Sequence, residues 1–182
     1  MKNKQIIGFD ADDTLWENEV FFQRALIQFI ELHPHVIDPE EVILQIEKEN
    51  IKFYGYGIKG FILSLLEASV RYSNNQPDFR NIDKIIKIGK DMLAQTIQLL
   101  PEVEETLRHL SEHYTLIMIT KGDLLDQQRK IEKSGLLKYF SSTEIVSEKD
   151  EQTYLEILEK HSISPQDFLM VGNSLKSDFY LL

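Results

Sequence analysis

Four short apolar runs along the chain each stop abruptly at a cluster of polar residues. Gln5-Ile-Ile-Gly-Phe9 ends at Asp10-Ala-Asp12-Asp-Thr14, and Thr115–Ile119 ends at Thr120-Lys-Gly-Asp123. Glu144-Ile-Val146 is followed by Ser147-Glu-Lys149, and Phe168–Val171 by Gly172-Asn-Ser174. Apolar runs this short, with polar residues at their carboxyl ends, read as buried parallel strands. Between them, Val103–His113, Leu124–Ser134 and Glu151–His161 carry the spacing of amphipathic helices. Strand and helix alternate, which predicts a doubly wound, Rossmann-like parallel sheet of the α/β class. Ligands of such sheets bind beyond the carboxyl ends of the strands, where all four polar clusters fall.

Residues 17–100 break the alternation. Val20, Phe21, Ala25, Leu26, Phe29 and Ile30 form a helical stripe. Asp38-Pro39 is a helix start, with Asp38 as a cap and Pro39 in the first turn. Helical spacing continues over Ile58–Val70 and Ile82–Leu100, with the turn-rich Ser73–Asp78 between them. The pattern predicts a mostly helical domain, 17–100, inserted after the first strand. It divides an α/β core made of residues 1–16 and 101–182.

Composition narrows the function classes. Of 182 residues, 42% are hydrophobic and 27% charged, a proportion typical of a folded globular chain. Twenty Lys and Arg against thirty Asp and Glu give 20 − 30 = −10, and such a surface repels phosphate backbones, so no nucleic-acid partner is expected. The absence of cysteine excludes a disulfide scaffold, a thiol nucleophile and a Cys–zinc site, and suits a reducing cytoplasm. No stretch approaches the roughly 20 apolar residues of a membrane span. Asp10, Asp12 and Asp13 interrupt the only early apolar run, so no signal peptide and no membrane partner are expected.

The chemistry concentrates at the strand ends. Asp10 and Asp12, two residues apart past a buried strand, repel each other unless a cation or hydrogen bonds offset their charge. A divalent metal with hard oxygen ligands, Mg²⁺, supplies that offset, although a turn or helix cap would also use aspartates. Thr120 offers a hydroxyl beside backbone N–H groups. Lys149 offers a positive charge, Asn173 an amide oxygen and Asp178 a carboxylate.

With these four clusters in this order, the whole chain resembles the haloacid dehalogenase-like (HAD) hydrolase superfamily. Asp10-x-Asp12-x-Thr14 is similar to its first motif, Thr120 to its second, Lys149 to its third and Gly172-Asn-Ser-x-x-x-Asp178 to its fourth. The helical insert resembles the type-1 cap. The resemblance implies phosphoryl transfer, with Asp10 as nucleophile and Asp12 as general acid and then base. It implies that Thr120 and Lys149 hold phosphoryl oxygens, and that Thr14 orients the Asp10 loop. Mg²⁺ would take Asp10, the backbone carbonyl of Asp12, and Asn173 or Asp178. An aspartate at position 12 suits the phosphatase branch, because an alkoxide leaving group needs a proton and a halide does not. The implied partner is a small phosphorylated substrate. A phosphotransferase or mutase, and a non-catalytic phosphate- or partner-binding relative, are the alternatives.

Two features depart from that pattern: Asn173 stands where most relatives have aspartate, and the sequence stops at Leu182 where relatives usually continue, as expected either of a truncated core or of one whose last strand edge is covered by something else. In the insert, Tyr56 and Lys59, set among Gly55, Gly57 and Gly60, are candidates to face substrate. Trp16 is a candidate to line the entrance, or else to pack beneath the hinge, and Lys121 is a candidate to touch substrate. The G-x-G-x-x-G of residues 55–60 lacks a preceding strand, which argues against a dinucleotide site. His109 and His113 lack the glutamate of a zinc protease helix.

Overall fold

The computed structural model describes residues 5–73 and 78–179. Most of the turn-rich Ser73–Asp78 segment and the last three positions lie outside the described residues. Four strands, β1 (Ile6–Phe9), β2 (Thr115–Lys121), β3 (Ser142–Val146) and β4 (Phe168–Val171), form one sheet in the order β3-β2-β1-β4. Every pairing is parallel, with Ile7 opposite both Leu116 and Leu169. Parallel neighbours require long crossovers. Here α5 (Val103–His113) precedes β2, α6 (Leu124–Ser134) joins β2 to β3, and α7 (Glu151–Lys160) joins β3 to β4.

The two-residue period of β2 separates the layers. Leu116 and Met118 pack in one core with Ile7, Phe9, Leu107 of α5 and Ile131 of α6. Ile117 and Ile119 face the other way and pack with Tyr154, Ile157 and Leu158 of α7 and with Met170. Helices therefore cover both faces, which is the doubly wound arrangement that the alternating pattern predicts. Aspartates start two of these helices: Asp123 accepts the Asp126 N–H at 3.0 Å, and Asp150 accepts the Thr153 N–H at 2.8 Å.

The chain separates into two compact units, residues 1–18 with 97–182, and residues 19–96. The second unit consists of α1 (Glu19–Leu32), α2 (Pro39–Tyr54), α3 (Ile58–Tyr72) and α4 (Phe79–Ala94). Its core gathers Phe29, Ile43, Ile46, Phe61, Leu65, Ile85 and Met92. Asp38 does not cap α2 as expected. It is held at φ 48°, its side chain makes no cap bond, and its carbonyl instead accepts the Val42 N–H. The expected helix over 82–100 stops at Ala94. Beyond it the backbone extends to pair with the loop after β1: Glu17 N–H reaches Gln98 O at 2.9 Å, and Leu100 N–H reaches Leu15 O at 3.0 Å. That tertiary pairing outweighs the local helical preference of Ile97–Leu100.

No helix among the described residues is long and apolar enough to cross a membrane.

Candidate active site at the carboxyl ends of the strands

Asp10 leaves β1 with its N–H bonded to Val171 O of β4 at 2.8 Å, which fixes the loop to the sheet edge. The next residues close a tight turn: Thr14 and Leu15 N–H groups both return to Ala11 O, and Asp13 takes φ 58°. This turn brings the Thr14 hydroxyl back to donate to Asp10 Oδ2 at 3.1 Å.

Lys149 reaches the same point from the loop between β3 and α7. Its ammonium donates to Asp10 Oδ1 at 2.5 Å and to Asp178 Oδ1 at 2.8 Å. All three side chains are buried, with that of Lys149 only 2% exposed. Burial pushes the Asp10 carboxyl above the ordinary aspartate value, against the attraction of Lys149 and with the repulsion of Asp178 and Asp12. Burial, then the charges of Asp178 and Asp10, also push the Tyr154 phenol strongly upward. Tyr154 therefore stays a neutral donor, to Ser177 O at 3.0 Å and to Asp178 Oδ1 at 3.5 Å.

Asp178 lies on a single π-type turn, Leu175–Phe179, after β4. Its Oδ2 accepts the Ser174 N–H at 3.0 Å, and its own N–H returns to Ser174 O at 2.8 Å. Gly172 makes this fold-back possible through close approach rather than an unusual dihedral. A Cβ there would collide with the Asp178 carboxylate. Asn173, next along, is exposed.

Thr120 is the penultimate residue of β2. It is 1% exposed, and its hydroxyl has no hydrogen-bond partner among the described residues. Buried hydroxyls are seldom left unpaired unless something else uses them. Lys121, one residue on, forms an ion pair with Glu148 at 2.9 Å, and Glu148 also accepts the Lys149 N–H at 3.0 Å.

Asp12 faces a different set of groups. Its carboxylate accepts from Trp16 Nε1 at 2.7 Å, from Gln127 Nε2 at 2.9 Å and from Lys130 Nζ at 2.8 and 2.6 Å. Trp16 is therefore not an entrance residue. It is 0% exposed within the sheet core, because its ring fills the space beside Leu15 and its N–H is used by Asp12. Gln127 and Lys130 were not among the sequence candidates. They lie three apart on one face of α6, the helix that follows the Thr120 strand, and that spacing is the one signal the sequence offered. Tyr56 and Lys59 belong to the helical unit, at the bend before α3 and in its first turn.

Asp10 and Asp178 together offer hard oxygen donors of the kind Mg²⁺ takes. Among the described residues, no three His, Cys, Asp or Glu side chains group closely enough to bind a metal. The two carboxylates nonetheless converge on Lys149 from the carboxyl ends of the neighbouring strands β1 and β4, so the donor chemistry fits a hard cation completed by neutral oxygens.

A family model for haloacid dehalogenase-like hydrolases matches residues 4–179. The N-acylneuraminate-9-phosphatase of Rattus norvegicus is 25% identical over 186 residues, covering 94% of this chain and 75% of that protein. The Homo sapiens enzyme of the same name is 23% identical over the same shares. A haloacid dehalogenase-like family hydrolase from Xanthomonas campestris superposes with a TM-score of 0.93 at 37% identity, covering 97% of this chain and 76% of that one. A Bacillus subtilis HAD hydrolase solved with magnesium shares the fold, with a TM-score of 0.66 at 16% identity over 97% of this chain and 83% of that one. With a family model spanning nearly all of it and a parallel sheet that gathers acid and lysine at its carboxyl ends, this chain belongs to the haloacid dehalogenase-like hydrolases, and it is an enzyme of that hydrolase class.

Proposed function

We propose that the chain is a Mg²⁺-dependent phosphatase that hydrolyses a small phosphomonoester through an aspartyl-phosphate on Asp10. The observation that carries this reading is the buried Asp10–Lys149–Asp178 contact, which brings three distant strand ends to one point. A buried excess of negative charge costs stability, and a site that must bind and attack phosphate accounts for it.

In the first half-reaction an Asp10 carboxylate oxygen attacks phosphorus. The bond from phosphorus to the ester oxygen breaks, and that oxygen takes a proton from the Asp12 carboxyl. In the second, water attacks phosphorus and gives a proton to Asp12. The bond to Asp10 breaks, and inorganic phosphate leaves. Lys149 and the Thr120 hydroxyl, which has no hydrogen-bond partner among the described residues, donate to phosphoryl oxygens, where charge builds in the transition state. Thr14 holds Asp10 through the bond to Oδ2. Asp10, Asp178, the backbone carbonyl of Asp12 and Asn173 would hold Mg²⁺, which supplies charge neutralisation at the phosphoryl group.

The helical unit serves as a cap that selects the organic part of the substrate, with Tyr56 and Lys59 as its contacts. The names of the rat and human relatives make 9-phosphorylated sugar acids the first substrates to assay.

Inorganic phosphate release from p-nitrophenyl phosphate and from a panel of sugar phosphates tests the reading. Turnover that requires Mg²⁺, is removed by a chelator and is lost in Asp10→Asn is the expected result. Turnover that survives Asp10→Asn would overturn the assigned nucleophile.

A further inference from the structure

Asp12 is held by more groups than a loop carboxylate needs. Lys130 Nζ bonds both of its oxygens, Gln127 Nε2 reaches Oδ2 and Trp16 Nε1 reaches Oδ1. The Lys130 side chain is only 12% exposed and is itself steered by Asn18 Oδ1 at 3.1 Å. Gln127 is 2% exposed, and its amide also donates to Lys121 O at 3.2 Å. Gly122 adds a constraint from the second polar cluster. It sits at φ 150°, and a Cβ there would come within 2.8 Å of Gln127 Nε2. The turn after Thr120 thus leaves room for the glutamine that reaches Asp12.

We infer that Lys130 and Gln127, on one face of α6, are positioning residues that set the orientation of the Asp12 carboxylate for proton delivery to the leaving oxygen. The inference rests on the phosphatase reading above and deepens it. A partly buried ammonium bonded to both oxygens fixes the plane of the carboxylate, and the glutamine and indole N–H groups fix its rotation. Neither α6 side chain is assigned to touch substrate. Their effect passes through Asp12, and it matters in proportion to how much the leaving oxygen needs a proton. An alkoxide needs that proton to depart, whereas p-nitrophenolate leaves largely without it.

Lys130→Met in the full chain, assayed on an alkyl phosphate and on p-nitrophenyl phosphate, separates this role from a structural one. The expected loss in kcat/KM, which covers the steps through departure of the ester oxygen and not the later hydrolysis in which Asp12 takes a proton from water, is about 10- to 100-fold on the alkyl ester and less than about threefold on the aryl ester. Lys130→Arg, which keeps the charge and the donors, is expected to recover most of the alkyl-ester rate. Gly122→Ala is expected to shift the same ratio in the same direction by displacing Gln127. A crystal structure of Lys130→Met is expected to show the Asp12 carboxylate turned from its Trp16 and Gln127 partners.

An equal kcat/KM loss on both esters, or an Asp12 carboxylate unmoved in the variant, overturns the positioning role while leaving the phosphatase reading intact. A native chain that releases phosphate from neither ester overturns that reading, and the positioning role with it.

Discussion

The two units bury polar side chains for different ends. In the helical unit a buried polar cluster bridges two helices, although His33 Nε2, Ser69 Oγ and the Tyr72 hydroxyl have no hydrogen-bond partner among the described residues. Asn50 of α2 donates to Ser64 Oγ at 3.2 Å and to Glu67 Oε2 at 2.7 Å on α3, and the Ser64 hydroxyl donates to Gly60 O at 3.0 Å. In the α/β unit the buried polar groups crowd one end of the sheet and are not balanced. Asp10 and Asp178 share a single lysine, and the Thr120 hydroxyl has no partner among the described residues. A satisfied network is explained by folding, since each buried donor needs an acceptor. Two buried carboxylates gathered on one lysine lower stability and call for a use in binding or chemistry.

The sharpest way to break this contrast is Asp10→Asn. Phosphate release should fall to background, a loss of more than about 5 kcal/mol in transition-state stabilisation if the nucleophile is gone. Stability should move the other way. Because burial raises the Asp10 carboxyl, folding favours its protonated form, so stability declines as pH rises from the ordinary aspartate value through the raised folded one. At neutral pH the ionised group therefore opposes folding, and an uncharged amide relieves that strain while Lys149 keeps Asp178. Thermal melts of both chains at neutral pH should place the variant higher. A lower melting temperature would mean that the acid–lysine contact is chiefly structural.

Thr120→Val comes next. Removing an unpaired buried hydroxyl in favour of a methyl group should leave the melting temperature unchanged or slightly raised. Turnover should drop about 10- to 100-fold, the scale of losing one donor to a charged oxygen. Ser64→Ala should do the reverse in the helical unit. It leaves the Asn50 amide short of one acceptor and should cost about 1 kcal/mol of stability. Chemical denaturation measures that loss, and kcat on p-nitrophenyl phosphate should not change.

Much of this was legible because the strand ends carry the chemistry. The apolar runs locate β1, β2 and β4, and the parallel sheet follows from the helices between them. β3 starts at Ser142, two residues ahead of its apolar pattern, because Ser142 and Thr143 pair with Ile117 and Met118 irrespective of their polarity. The end of α4 was hidden because Gln98 and Leu100 bond to the loop after β1, a contact more than 80 residues away in sequence. Trp16 could not be assigned from its place beside the first cluster, since burial there depends on Leu107 and Leu116 arriving from elsewhere. Gln127 and Lys130 were hidden for the same reason. A lysine on a polar helix face looks solvated until the chain brings Asp12 to it.

The smallest expected effect sharpens the comparison within the α/β unit itself. Glu144 of β3 is also a partly buried carboxylate, yet it is fully partnered, by Lys160 Nζ at 2.9 Å and His161 Nε2 at 2.6 Å. Burial pushes its carboxyl up, but the hydrogen bonds from Lys160 and His161, with their charges, outweigh burial and leave it below the ordinary glutamate value. The sign is thus opposite to that of Asp10. Glu144 adds stability above the unfolded value, and that contribution is lost as pH falls through the lowered folded value. Glu144→Gln should therefore cost stability at neutral pH, by under about 1 kcal/mol because Lys160 is largely exposed. The gap between the two chains should close on acidification below the ordinary glutamate value. Paired melts across that range, with Asp10→Asn alongside, should give two difference curves of opposite slope. Parallel curves would show that the two carboxylates are held by the same balance of forces, and that burial without a full set of partners does not distinguish the active end of the sheet.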